Sequence, residues 1–167
     1  MQTFIRLAIC RLMVYPILLV IHNAFRWLVL SSLLATLGSS YSGWLWPRSY
    51  RPFDQTIRIV ATSIVHTQLL IGFYLYFISP LIRYYWRFKP DASQSPEFRF
   101  FSIIHINLMF TAVIVVTIGS SLAKRKATAQ GKFRTTAIYF TIGLVLILIA
   151  VPWPFSPLAS RGWFRAF

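Results

Sequence analysis

Four long apolar runs are the feature that most limits what this chain can fold into. In chain order they cover roughly residues 14–37, 59–79, 101–122 and 136–153. Each run is long enough for the ~20 helical residues that cross a hydrocarbon core. None contains a carboxylate, because every Asp and Glu of the chain lies between the runs. The sequence therefore predicts an all-α, integral membrane four-helix bundle that forms a single domain over residues 1–167.

The chain carries a large excess of positive charge, with 17 Lys and Arg residues against three acids. In a soluble protein this excess would indicate nucleic-acid binding. Here the basic residues flank apolar runs, where they meet lipid head groups. We therefore expect membrane lipids, and not nucleic acid, to contact them. The single cysteine, Cys10, excludes an internal disulfide and a multi-cysteine metal site.

The basic residues also bear on orientation. Apart from Arg26, eight fall on each side of the predicted bundle. The short loop between the third and fourth runs, residues 123–135, is the most densely basic, and short loops carry most of the orienting signal. The sequence therefore predicts a multi-pass protein of the bacterial inner (cytoplasmic) membrane with both termini in the periplasm.

The first apolar run is preceded by a basic segment and followed by turn-forming residues. The residues predicted to end its helix are Gly38, Gly43, Pro47 and Pro52. Residues 1–12 contain two arginines but no convincing cleavage site, so they are interpreted as an uncleaved amphipathic lead-in. Met13 is an alternative start to Met1.

All three histidines, His22, His66 and His105, fall within apolar runs, one in each of the first three. An ionisable side chain at membrane depth usually faces the bundle interior and binds a ligand or lines a pathway. The alternative is a neutral imidazole that hydrogen-bonds to a neighbouring helix. His22 and His105 lie at a similar depth, whereas His66 lies about 10–15 Å deeper along its helix. We therefore expect His22 and His105 to face each other inside the bundle.

Arg26 lies one helical turn after His22, on the same helix face. A haem b fits this arrangement, because imidazoles bind haem iron and a guanidinium binds a carboxylate, such as a haem propionate, in two parallel hydrogen bonds. We expect His22, His105 and His66 as candidate iron ligands and Arg26 as a cofactor-binding residue. Backbone carbonyls, or an acid of a partner subunit, are equally suitable partners for Arg26.

Copper is the alternative metal. Met109 lies one turn after His105, and His together with Met binds copper, although a buried Met is more often core filler. The amides Asn23, Gln68 and Asn107 also fall within the runs, where they would orient an imidazole, bind a quinone carbonyl or join helices.

No catalytic residues are predicted. The sequence offers no carboxylate pair, no Ser-His-Asp set within the membrane, no Gly-rich phosphate loop and no H-E-x-x-H motif. The sequence therefore argues against a hydrolase or kinase and favours an electron-transfer or accessory subunit over a stand-alone enzyme.

Several short motifs resemble those of a known family. They are His22 with Arg26-Trp27, the run "HTQLLIG" from His66 with "YFISP" after it, "HINLM" from His105, and Lys132-Phe133. Over roughly residues 14–155 this set resembles a small family of four-helix, cytochrome b-like membrane proteins of Bacteroidota and related bacteria. The resemblance implies a four-helix membrane fold and a link to haem or electron transfer.

Three functions follow as expectations. The first is a haem b-binding subunit in electron transfer, linked to quinone or part of a larger respiratory or photosynthetic complex. The second is a cofactor-free structural subunit whose buried His and Arg residues pair with partner membrane subunits. The third is copper binding or transport.

Overall fold

A computed structural model describes residues 2–164, with side chains described for residues 14–164. The described backbone is helical apart from its turns and its final segment. The helices are α1 (Gln2–Leu45), α2 (Pro52–Ile78), α3 (Pro80–Arg87), α4 (Lys89–Ala92), α5 (Pro96–Arg99), a π-helix (Phe100–Ile104), α6 (His105–Arg125) and α7 (Ala129–Ala150).

Four of these segments are long and apolar enough to cross a membrane: Val14–Leu45, Pro52–Ile78, Pro96–Arg125 and Ala129–Ala150. The third combines α5, the π-helix and α6. The predicted all-α four-helix bundle is thus confirmed. We call the end of the bundle where α1 begins and α7 ends the termini side.

The first helix was predicted to end at two glycines and two prolines, and the prediction was wrong for the glycines, whereas both prolines do follow the helix. Gly38 and Gly43 do not interrupt α1, which continues to Leu45. Gly43 lies directly against the ring of Phe133 on α7, where an added Cβ would overlap the ring. Its missing side chain therefore allows two helices to approach closely, as small residues commonly do in membrane bundles.

Two further helices begin earlier than their apolar runs. The second begins at Pro52 and not near residue 59, and the fourth at Ala129 and not near residue 136. Both starts are stabilised locally, because Asp54 accepts from the backbone N–H of Arg51 and Thr128 accepts from that of Gly131. The apolar runs show only which part of each helix lies in lipid. The first residue of each helix is determined by these capping hydrogen bonds, so the runs began too late. The predicted lead-in, residues 1–12, is helical from Gln2 and continuous with α1, and its side chains lie outside the described residues.

The four long helices form a ring in which α1 packs between α2 and α7, and α6 packs closely against α7. Contact between α2 and α6 is looser. Close packing of α6 on α7 depends on two glycines, because a Cβ at Gly119 would overlap Tyr139 and one at Gly143 would lie 2.5 Å from Val116. The solvent-inaccessible centre includes Leu33 and Phe140.

Two arginines fix the end of the bundle opposite the termini side. Arg48 binds the buried carboxylate of Asp54 at 2.7 Å, and these hydrogen bonds raise the pKa of Arg48 above its ordinary value. Arg58, which the sequence places among loop charges, instead lies buried on α2. It donates to the carbonyl and hydroxyl oxygens of Ser120 on α6, at 2.6 and 2.5 Å, and to Tyr50 Oη. A guanidinium thus joins α2 to α6.

The segment after α2 forms short helices on the termini side. α2 ends at Ile78 and α3 begins at Pro80, as Ser79 and Pro80 predict. Ile82 and Tyr85 of α3 face the bundle, whereas Tyr84 and Trp86 are exposed. This division is typical of a helix at a membrane interface.

Candidate functional site

The termini side of the bundle contains a cavity of about 370 Å³. This volume lies near the lower end of the ~300–1,000 Å³ typical of cofactor and ligand pockets. Its wall is formed by α1, α2, α3, the π-helix, α6, the end of α7 and a strap, which we define as residues 152–164. Most of the wall is aliphatic or aromatic. Its polar members are Tyr15, His22, Asn23, Arg26, Gln68, Tyr76, Ser79, His105 and Arg161.

His22 on α1 and His105 on α6 face each other across this cavity. Their ring centroids are 6.5 Å apart and the ring planes meet at 72°. Both rings line the same cavity, so a ligand held there would contact the two histidines together. The expectation that these two histidines meet inside the bundle is confirmed.

His105 is held in one orientation by α7. Its Nδ1 lies 2.8 Å from the carbonyl oxygen of Ala150. A carbonyl only accepts, so Nδ1 carries the proton and Nε2 of the neutral ring is left as a lone-pair donor. Metal-binding histidines commonly have this backbone hydrogen bond, which fixes the tautomer and the ring direction.

The π-helix Phe100–Ile104 ends where α6 begins, at His105. Its wider turn buries Phe100 and Ser102, and the carbonyl of Ser102 accepts from Tyr76 Oη on α2 at 3.1 Å. π-Helical turns occur often at functional sites. The apolar sequence FFSII contains no signal that separates a π-helix from an α-helix, so the sequence did not predict it.

His22 lies in a close-fitting recess of α2. A Cβ added at Gly72 would be 3.2 Å from Cε1 of this ring, so a glycine leaves the imidazole its room. Gln68 Nε2 donates to the backbone carbonyl of His22 at 2.9 Å. Nδ1 of His22 and Oε1 of Gln68 are both buried without a hydrogen-bond partner among the described residues. Such atoms are costly at membrane depth, and they indicate a site for a ligand.

Arg26 is buried beside His22, with 8% of its surface exposed. One Nη donates to the carbonyl oxygen of Trp163 at 2.7 Å, while Asn23 Oδ1 lies at 3.5 Å. The rings of Trp27 and Trp153 lie 5.3 and 5.4 Å from its Cζ. Its partner is therefore a backbone carbonyl, one of the alternatives that the sequence allowed. Its Nε is buried without a partner in the described part of the chain.

The strap adds residues that sequence reasoning did not find. Trp153 and Trp163 pack with Trp27 of α1, and Arg161 and Phe164 line the cavity. Arg161 also forms an ion pair with Glu97 of α5. Three prolines after α7 indicate only that the helix ends, so no sequence signal connects this segment to the histidines.

The other two candidate residues are in different places. Met109 lines the same cavity, one turn after His105. His66 does not line it: the side chain is exposed on α2, and its Nε2 lies 2.8 Å from Thr117 Oγ1 on α6. Because the Thr117 hydroxyl donates to the Val113 carbonyl, Nε2 of His66 is the donor in that contact. The structure therefore brings His22 and His105 together and places His66 elsewhere, exposed and against Thr117 of α6.

Within the described residues, no three His, Cys, Asp or Glu side chains form a metal-binding group. The arrangement is instead two opposed imidazoles in an apolar cavity with guanidinium groups in its wall. Fold and site together define a four-helix membrane protein with a histidine-lined cavity. No protein-family model, curated protein or solved structure matches the chain.

Proposed function

We propose that this chain binds a haem b between His22 and His105 and acts as an electron-transfer subunit of a bacterial cytoplasmic membrane, with its termini in the periplasm. The observation that carries the proposal is the pair of imidazoles that face each other in a mostly apolar cavity, with 6.5 Å between their ring centroids. The two histidines come from different helices, which is how bundles supply ligands to a cofactor in their core.

The residues present fit this group in three respects. His105 offers a bare Nε2 because Ala150 accepts the proton of Nδ1. Nδ1 of the half-buried His22 is buried without a partner among the described residues, and Gly72 leaves space for the ring. Arg26 is a buried guanidinium beside His22 and close to no acid of the described chain, which suits a carboxylate-bearing ligand.

A bound haem b supplies one-electron redox chemistry. The chain's own contribution is to orient the two imidazoles and to keep the site apolar. Hydrogen bonding to Ala150 makes His105 a stronger donor, and burial among aliphatic side chains limits the access of water. Gln68, whose Oε1 is unpartnered in the same wall, is a candidate contact for a quinone carbonyl as electron donor or acceptor.

Copper is a second candidate, supported by one observation. Met109 lines the same cavity as the two histidines, which together give a two-His, one-Met ligand set. The guanidinium of Arg26 in the same wall opposes it, because like charges repel most strongly in a low-dielectric site.

A visible spectrum of the purified protein, reduced minus oxidised, together with metal analysis, tests these proposals. We expect a Soret band and iron in wild type, and their loss in His22→Ala and in His105→Ala. His66→Ala is the matched control, because His66 is a membrane histidine outside the cavity wall, and it should keep the band. Copper without a Soret band would select the second candidate. Neither metal, in a protein that folds and inserts, would leave a cofactor-free structural subunit.

A further inference from the structure

The cavity wall contains two guanidinium groups, and none of its described residues is an Asp or Glu. Arg26 comes from α1 and Arg161 from the strap. A ligand in this cavity therefore meets two positive charges. Arg26 is buried, where a charge acts more strongly than it does in water, and Arg161 adds a half-exposed charge, so the wall favours an anionic ligand.

Each guanidinium lies near one of the two histidines. Arg26 follows His22 by one turn. Arg161 lies over the ring of Phe101, with its Cζ 5.4 Å from the centroid, and that ring is 6.0 Å from the ring of His105. The strap joins the two arginines, because Arg26 donates to the carbonyl of Trp163, two residues after Arg161. Both arginines line the same cavity.

Neither arginine is fully engaged. Arg26 donates to one carbonyl at 2.7 Å and has a buried Nε without a partner among the described residues, although a guanidinium has five N–H donors. Arg161 pairs with Glu97, but the side chains of both are about half exposed. Exposed ion pairs contribute little because solvent screens them, so Arg161 can exchange this partner for a ligand carboxylate.

We propose that Arg26 and Arg161 form a two-arginine clamp that binds the carboxylate groups of the ligand held between His22 and His105. The inference rests on the proposed haem function, because a haem b carries two propionates. It adds Arg161 and the strap to the site. It also specifies the ligand as an acid and not a neutral ring, since a neutral quinone would leave both guanidinium groups without an anion.

Titration of the purified apoprotein with hemin and with hemin dimethyl ester, followed at the Soret band, tests the clamp. The ester lacks the charged oxygens but keeps the iron and the ring. We expect wild type to prefer hemin by about tenfold or more, as one charge-assisted hydrogen bond contributes. Arg26→Leu and Arg161→Leu should each reduce this preference, and the double variant should remove it, while affinity for the ester stays unchanged.

Arg83→Leu is the matched control, because Arg83 is an exposed arginine of α3 outside the cavity wall, and it should keep the preference. Arg161 is partly exposed, so Arg161→Leu tests the clamp even if Arg26→Leu fails to fold. Equal binding of hemin and ester by wild type would overturn the clamp and leave haem binding intact, as would a preference that survives in the double variant. Binding of neither compound would overturn the proposed haem function and the clamp with it.

Discussion

The recess that holds His22 depends on one missing side chain. A Cβ at Gly72 would lie 3.2 Å from Cε1 of that imidazole, so any larger side chain must push the ring. We expect Gly72→Leu to displace His22 at a cost of about 1–3 kcal/mol and to lower haem binding. Soret titration measures this, with Gly38→Leu as the control because nothing lies within 4 Å of its Cβ position. Unchanged haem binding in Gly72→Leu would show that His22 does not need the space that Gly72 leaves.

Arg58 gives a second prediction, because among the described residues its hydrogen-bond partners are Ser120 and Tyr50. Ser120→Ala removes the hydroxyl that accepts from the buried guanidinium, and should lower the free energy of unfolding by about 1–3 kcal/mol. Adding Arg58→Met should recover much of the loss, because the buried guanidinium that has lost one acceptor is then absent. Thermal unfolding in detergent measures both. Arg51→Met is the control, because Arg51 is an exposed arginine. If Ser120→Ala and the double variant lose the same free energy of unfolding, Arg58 and Ser120 are not coupled.

Two arguments from the sequence predicted that His22 and His105 meet. The helical rise gave both the same depth, and ionisable side chains at membrane depth usually face the bundle interior. The same rise separated His66 from them, although it did not show that His66 faces outward. Arg161 escaped prediction because it follows the last helix, where no periodicity limits the path of the chain. Arg58 was misplaced because a charge near the end of an apolar run indicates a loop as readily as a buried partner.

At the scale of elements, the four membrane helices followed from hydropathy, whereas their ends and internal geometry did not. Gly43 lies inside α1 and against the ring of Phe133, a contact that no local sequence pattern shows. The π-helix before His105 is likewise a product of packing, because FFSII fits an α-helix equally well. Tertiary contacts therefore determined the details that position the site.

The strap is the element with the clearest separate role. A chain shortened to end at Val151 should keep its four-helix fold, because Leu33 and Phe140 at the core centre belong to the long helices. Arg26 would lose the Trp163 carbonyl and the Trp153 ring. We expect haem to leave the shortened protein several-fold faster, since one lost charge-assisted hydrogen bond changes a rate by about tenfold.

Transfer of haem to an excess of apomyoglobin measures that release rate. Phe155→Ala is the control, because Phe155 belongs to the strap but is exposed and does not line the cavity; it should release haem at the wild-type rate. Equal release by the shortened and complete chains would show that the strap does not retain the ligand.

For the whole molecule, the distribution of basic residues predicts the direction of insertion. The turn between α6 and α7 is dense in Lys and Arg and should lie in the cytoplasm. In a Cys10→Ser background, Ser93→Cys should react with a membrane-impermeant thiol reagent applied to cells with permeable outer membranes. Ala127→Cys should react only after lysis. The reverse pattern would invert the topology and place the cavity toward the cytoplasm.

The position of the strap along the chain sets an order of assembly. It follows α7, so the ribosome produces it after all four membrane helices. While those helices insert, Arg26 has no Trp163 carbonyl to bind and the wall of the cavity lacks Phe164 and Arg161. Until the strap docks, the cavity lacks part of its wall beside the histidine pair, so we expect a bulky, flat ligand to pass through this side more readily before docking than after it.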